Sequence, residues 1–258
     1  MKNTQTDKIA NKLVKAFLKN KIIQPIPTSL SKKITNAQNF RKLCESKINK
    51  PIIGFKAGGT SIPVLKKLKE KEPFYATVYA QNFLKNKKSV KVNNYTLGIE
   101  LEVCYLIKKS FFLYKKNITT SVLNKYILSV APCIEVVGYR QKKKGIKYLG
   151  DLCSDFGANV KFIIGPKKKY RKLKDDNLKT TIFNERINHV VNGNTNTVYK
   201  NPLNSLKFVL NKLIKDKVKL NKNFYIFTGS TVGVVPIVSK GVYKGKIDKI
   251  GSVQAKII

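Results

Sequence analysis

The stretch TLGIELEVCYLI, residues 96–107, reads as a β-strand with two interruptions, because Glu100 and Glu102 break a run that is otherwise apolar. Residues two apart in a strand project from the same face, so the two carboxylates stand side by side while Ile99, Leu101 and Val103 face the other way. One face of an antiparallel sheet is often wet, and two solvated carboxylates would then need nothing more. The same face, however, continues with Cys104 and Leu106, which predicts a dry environment one pleat further on. Glu70 and Glu72 in KLKEKEPF serve as a control. Their spacing is identical, but lysines and a proline surround them, and solvation accounts for that pair.

Two carboxylates that are close and partly desolvated repel each other and hold protons more tightly unless a cation neutralises them. A third isolated carboxylate, Glu135 in APCIEVVGYR, again interrupts an apolar, strand-like run. Three oxygen ligands of this kind suit Mg2+ or Mn2+, with water or substrate completing an octahedron. Spacing alone leaves metal binding and a chance Glu-Leu-Glu pattern both open.

Around this strand the 258 residues divide by pattern. Ile9, Leu13, Val14, Phe17 and Leu18 recur at helical spacing, predicting an amphipathic helix over 7–23. A second helix is predicted over 31–46, after the break at Pro25 and Pro27. From Ile52 onward, short apolar runs alternate with Gly, Asn and Lys clusters. Strands are predicted at 52–57, 74–79, 97–107, 133–139, 159–164, 224–228 and 234–238, and at 242–257 with a turn inside. NPLNSLKFVLNKLIKDK reads as a helix with Asn201 as N-cap, Pro202 in the first turn, and a buried stripe of Leu203, Leu206, Leu210, Leu213 and Ile214. The expected organisation is α+β, with an N-terminal helical segment over 1–50 and a sheet-based unit over 51–258.

The formal net charge of +38 suggests affinity for polyanions. Its make-up argues otherwise. Only Arg41, Arg140, Arg171 and Arg186 are arginine, and lysine suits bidentate phosphate and base recognition poorly. The lysines come with abundant Asn and Ile, as A/T-rich coding produces, and gather in loop-like runs at 66–71, 85–91, 142–147 and 167–174. A solvated surface is the preferred reading, and a nucleic-acid partner is not expected. No apolar stretch approaches the roughly 20 residues of a membrane span, and the opening residues lack a secretory pattern, so a cytoplasmic chain without a membrane partner is expected. Cys44, Cys104, Cys133 and Cys153 are widely spaced and read as buried free thiols. His189 lies in a polar stretch and reads as a surface histidine. Gly58 and Gly59 lack the following residues of a phosphate-binding loop.

Seven motifs in order carry a family resemblance: GFKAGGTS (54–61), LGIELEV (97–103), APCIEVVGYR (131–140), GDLCSDFGANVKFIIG (150–165), NPLNSLKFVLNKL (201–213), TGSTVGVVPIVSKG (228–241) and IGSVQAKI (250–257). From about residue 36 onward the chain resembles the 2-keto-4-pentenoate hydratase and 4-oxalocrotonate decarboxylase family of the fumarylacetoacetate hydrolase superfamily. The resemblance implies a mixed β-sandwich or rolled sheet with flanking helices, a Mg2+ or Mn2+ ion, a homo-oligomer, and a part in aromatic-compound catabolism. It implies a hydro-lyase acting on a small unsaturated 2-oxo acid, or a decarboxylase on the same scaffold. A non-catalytic polyanion-binding relative is the alternative from another class.

By motif position, Glu100, Glu102 and Glu135 would be the metal ligands and Lys56 the active-site lysine. Lys56 would hold the substrate carboxylate or move a proton, with a lowered pKa beside a cation. Ser61, Asp155, Gly229 and Ser230 fall where the family contacts substrate. Three features depart from the family. Phe74 stands where an acidic residue is usual, the Asp-Asn-Ala-Ser run becomes Asp155, Phe156, Gly157 and Ala158, and an N-terminal motif survives only as Gln38.

Overall fold

The computed structural model describes residues 4–93, 95–142, 145–171 and 177–258. In chain order its elements are α1 (Gln5–Lys19), α2 (Ile34–Ser46), β1 (Ile52–Gly58), α3 (Ile62–Lys67), β2 (Phe74–Tyr79), β3 (Phe83–Lys85), β4 (Ser89–Val90), β5 (Thr96–Ile107), α4 (Thr120–Leu123), β6 (Ile127–Gly138), α5 (Leu149–Ser154), β7 (Asn159–Ile164), β8 (Lys168–Lys169), β9 (Lys179–Asn184), β10 (His189–Asn194), α6 (Pro202–Lys215), β11 (Phe224–Ser230), β12 (Gly241–Ile247) and β13 (Gly251–Ile257). They form an α+β architecture of two sheets. One runs β2-β1-β11-β5-β6-β7-β3, with β8 paired to β6, and the other runs β10-β9-β12-β13-β4.

The twelve-residue strands β5 and β6 form the centre of the larger sheet. Their alternation decides which face meets the smaller sheet. Ile99, Leu101, Val103, Tyr105 and Ile107 of β5 join Ile134 and Val136 of β6 and Tyr243, Ile247, Val253 and Ala255 of β12 and β13 in one buried core. A Cβ on Gly245 would lie 2.6 Å from Leu101 Cδ1, so a glycine is what lets β12 press onto that face. At roughly 2 kcal/mol per large apolar side chain fully buried, this layer dominates the stability of the fold. The opposite, even-numbered face of β5 carries Glu100, Glu102 and Cys104.

Helices cover the larger sheet. The Asn201 side-chain Oδ1 caps α6 by accepting from the Leu203 amide at 2.8 Å, and Leu206, Leu210 and Leu213 are buried in the main core. Leu13, Val14 and Phe17 of α1 pack with Phe40 and Cys44 of α2 and with Tyr79 and Phe156.

Differences from the sequence expectations have local causes. The first helix ends at Lys19, not 23, because Asn20 turns into the left-handed region at φ 50°. The second begins at Ile34, since Thr28–Leu30 forms a separate 3-10 turn. Residues 234–238 are not a strand: only Val235 bridges, to Ile99, and Pro236 has no amide to donate. The hairpin of β9 and β10 was not anticipated, because TTIFN and HVVNGN lack a clean apolar alternation. All four cysteines are buried and free. Among the described residues no helix is long and apolar enough to cross a membrane. The lysine runs at 142–147 and 167–174 lie partly outside the described residues.

Candidate metal centre

The antiparallel register of β5 and β6 sets Glu100 directly opposite Glu135 and Glu102 opposite Cys133. All three glutamates therefore share one face, and each offers a carboxylate oxygen within 4.8 Å of the others. Glu102 and Glu135 are fully buried, whereas Glu100 keeps part of its surface open.

The oxygens of the two buried carboxylates are unequally satisfied. Glu102 Oε2 accepts from the Gly229 amide at 3.0 Å, and Glu135 Oε1 accepts from Lys56 Nζ at 2.5 Å. Glu102 Oε1 and Glu135 Oε2 have no donor. The bond these two carboxylates can make to each other requires a proton on one of them. Each thus has one tethered oxygen and one left over, in a site where a buried unpaired acceptor costs about 1–3 kcal/mol.

Burial pushes all three carboxyl groups up. The Glu135 charge adds to the rise of Glu100, which reaches about 7. Glu102 also reaches about 7, with the Lys56 charge opposing its desolvation. Glu135 is raised well above the ordinary carboxylate range even though it holds Lys56 directly. Without a cation in the cluster, Lys56 is raised by its carboxylate neighbours. Burial pulls it down, but the charges of Glu135, Glu100 and Glu102 outweigh that and keep the ammonium above the ordinary lysine range. One lysine against three carboxylates leaves the cluster short of positive charge. An all-oxygen donor set of this kind fits a small, hard divalent cation.

Lys56 comes from β1, which pairs in parallel with β11. Its ammonium also donates to the Gly157 carbonyl at 3.1 Å and lies 6.0 Å from the centre of the Phe162 ring. Phe162, Phe227, Cys104 and Cys133 form an apolar floor beside it. Gly157 sits in a run of left-handed residues, Phe156 (φ 52°), Gly157 (φ 71°) and Ala158 (φ 57°), each non-glycine member costing about 1–2 kcal/mol. Gly229 has φ 106°, and a Cβ there would fall 2.1 Å from Thr60 Oγ1.

The remaining candidates are placed differently. Ser230 pairs with Glu102 in the β11–β5 register, but its hydroxyl donates to the Gly233 carbonyl at 2.8 Å. Ser61 precedes α3, makes no side-chain cap, and accepts the Leu65 amide on its carbonyl. The Asp155 carboxylate accepts from the Arg140 amide at 2.8 Å and pairs with the Arg140 guanidinium. Phe74 is buried in an apolar cluster with Leu65, Ala76 and Leu149. His189 lies on β10, in the other sheet. Thr60, Arg140 and the Gly157 carbonyl were not anticipated as parts of the site, since main-chain acceptors and packing partners leave no mark in residue type. Cavities of about 300 Å³ beside Val90 and Tyr95 and of about 290 Å³ beside Ser31 and Tyr148 lie away from these residues. Convergent charge marks the site.

No family model matches this sequence. The fold is similar to 4-oxalocrotonate decarboxylase from Pseudomonas putida G7 in complex with magnesium and adipate, with a TM-score of 0.85 over 100% of this chain and 99% of that one, at 19% identity. The chain has the fumarylacetoacetate hydrolase fold. Other proteins of that fold lie further away, among them fumarylpyruvate hydrolase from Pseudomonas aeruginosa in complex with Mn2+ and pyruvate, with a TM-score of 0.61, 13% identity, and coverage of 82% of this chain and 92% of that one. In sequence, the chain is 21% identical over 205 residues to 2-keto-4-pentenoate hydratase from Paraburkholderia phymatum, covering 79% of this chain and 77% of that protein. The resemblance read from the seven motifs thus extends to the three-dimensional fold.

Proposed function

We propose that this chain is a divalent-metal-dependent hydro-lyase that adds water to a small unsaturated 2-oxo acid such as 2-keto-4-pentenoate. The observation that carries the reading is the convergence of Glu100, Glu102 and Glu135, with two buried oxygens unpartnered and Lys56 alongside. The named hydratase relative and the magnesium and Mn2+ complexes of the neighbours support it.

In this reading Glu100, Glu102 and Glu135 hold Mg2+ or Mn2+. The bound ion supplies Lewis acidity toward the carboxylate and keto oxygen of a 2-oxo acid. The Gly229 amide fixes Glu102, and Lys56 fixes Glu135. Lys56 is the catalytic residue, a charged donor that holds the substrate's anionic end and returns a proton. Phe162 and Phe227 keep bulk water from that ammonium. Gly229, Ser230 and Ser61 line the substrate's approach, with the two-sheet unit 51–258 as the catalytic body, the 1–50 segment flanking it, and the working form a homo-oligomer.

A second reading, decarboxylation of a 4-oxalocrotonate-type acid, is favoured by the whole-chain likeness to a decarboxylase. One experiment separates the readings. The protein is incubated with Mg2+ and a 2-hydroxymuconate-derived dienol, following ultraviolet absorbance and CO2 release together. Loss of dienol absorbance without CO2 supports the hydratase, and CO2 release supports the decarboxylase. No change with any such compound, or turnover indifferent to EDTA, rejects both. A polyanion binder would instead show binding that falls steeply with salt.

A further inference from the structure

We infer that Asp155 is a positioning residue: its ion pair with Arg140 clamps the left-handed turn Phe156–Ala158, whose Gly157 carbonyl holds the Lys56 ammonium beside Glu135. The inference rests on the role proposed above for Lys56.

Three consecutive left-handed residues, two of them with side chains, persist only where the surroundings over-determine them. Here the surroundings do so from several sides. Asp155 accepts from the Arg140 amide at 2.8 Å, from Arg140 Nη1 at 3.4 Å and from Gln141 Nε2 at 3.4 Å. Its own carbonyl accepts the Ala158 amide at 2.8 Å, closing the turn. Asn159 Nδ2 donates to the Phe156 carbonyl at 2.7 Å and to Thr77 of β2 at 3.3 Å. The Phe156 ring packs against Phe17, centroids 4.4 Å apart, and the Arg140 guanidinium lies over the same Phe17 ring, 5.1 Å from its centre.

This framework delivers one acceptor, the Gly157 carbonyl, to a lysine on a flexible four-carbon stem. A Cβ on Gly157 would fall 3.3 Å from Lys56 Cδ and 3.1 Å from Ala76 Cβ, so the turn also braces the stem. Asp155 itself is fully buried with its carboxylate engaged by Arg140, which sets it behind the lysine rather than in front of a ligand.

The test is a double-mutant cycle on the Mn2+-loaded protein, with oxalate, a planar stand-in for a 2-oxo acid enolate, as titrant. It needs no turnover. Asp155→Asn keeps the shape of the side chain and removes its charge. Lys56→Met removes the ammonium. Each single substitution is expected to weaken oxalate binding about tenfold, and Asp155→Asn in the Lys56→Met background less than about twofold further, because both act through one group. Mn2+ affinity is expected to change little in Asp155→Asn. Gly157→Ala, which presses on the stem directly, is expected to give the same non-additive pattern and serves if Asp155→Asn does not fold.

Penalties that multiply in the double variants overturn the inference, assigning Asp155 a general structural role or a contact of its own. Absence of Mn2+ binding in the wild-type protein instead rejects the metal-dependent reading, and oxalate binding unchanged in Lys56→Met rejects the role of Lys56 and this inference with it.

Discussion

Glu100 and Glu135 are direct partners across β5 and β6, an arrangement of like charges that weakens an antiparallel ladder unless something lies between them. The rest of the sheet spends no such penalty, since Leu101, Val103, Ile134 and Val136 around the pair are fully buried apolar residues. The repulsion is therefore local and confined to the face that also carries Glu102.

A cation that relieves it should stabilise the fold. With Mn2+ at 100 times its dissociation constant, stability should rise by about 2.7 kcal/mol. For a chain of this size that is a melting shift of roughly 5–10 °C. Glu102→Gln should weaken Mn2+ binding roughly 100-fold, because it removes one of three ligand charges and leaves a poorer donor. Calorimetric titration and thermal melts check both, and a melting point blind to Mn2+ would refute the site.

Protonation should partly replace the cation in metal-stripped protein. Glu102 is held at about 7 by burial, against an ordinary value of 4.5. A carboxyl group raised on folding gives stability that is fully present below its unfolded value and is lost as the pH climbs through the folded one. In EDTA, the wild-type chain should therefore lose stability relative to Glu102→Gln between about pH 4.5 and pH 7, and the difference should level off above that window. Urea unfolding of the two proteins at matched pH measures it, and comparison with the variant cancels the background of a chain with 52 basic and 14 acidic residues.

Gly229 answers two demands, a φ of 106° and the space taken by Thr60 Oγ1 2.1 Å from where a Cβ would stand. Gly229→Ala should cost about 1–3 kcal/mol from the backbone alone. It should also loosen the amide that holds Glu102 Oε2, lowering Mn2+ affinity. Adding Thr60→Ala should recover part of the stability by removing the clash, but none of the part due to φ. Full recovery in chemical denaturation of the double variant would show that the backbone conformation is not the constraint.

The centre of this fold was legible because period 2 is unforgiving. In β5, alternation placed Ile99, Leu101 and Val103 on one face and Glu100 and Glu102 on the other, and the carboxylates broke the apolar pattern visibly enough to nominate themselves. Glu135 was legible for the same reason. The hairpin of β9 and β10 was not, since residues such as Asn192, Gly193 and Asn194 carry loop chemistry and owe their strand geometry to pairing with Thr181, Thr180 and Lys179. The fine structure of the site was hidden for a different reason. The ion pair of Lys56 with Glu135 joins positions 79 apart, and the acceptor on its other side is a main-chain carbonyl. The raised pKa of Lys56 was hidden with it, since it comes from three carboxylates that only the tertiary pairing brings within reach.

Phe74, at the position where the family resemblance implies an acid, reads in this structure as a purely structural residue. It is 1% exposed, packs with Leu65, Ala76, Leu149 and Cys153, and its ring lies against Gly58 so closely that a Cβ there would be 2.3 Å from Cζ. No carboxylate of the cluster is among these neighbours. Phe74→Ala should therefore behave as a core truncation, costing about 3–5 kcal/mol through lost burial and a cavity that Gly58 cannot fill. Mn2+ affinity of the folded variant should stay within about twofold, since no group bonded to Glu100, Glu102 or Glu135 has been removed. Phe74→Asp should be worse than the alanine variant, because it buries a charge in a cluster without a donor. Denaturant unfolding of the two variants, with Mn2+ titration of whatever fraction folds, gives the answer. A small stability loss together with a large loss of metal affinity would move Phe74 from the core into the site.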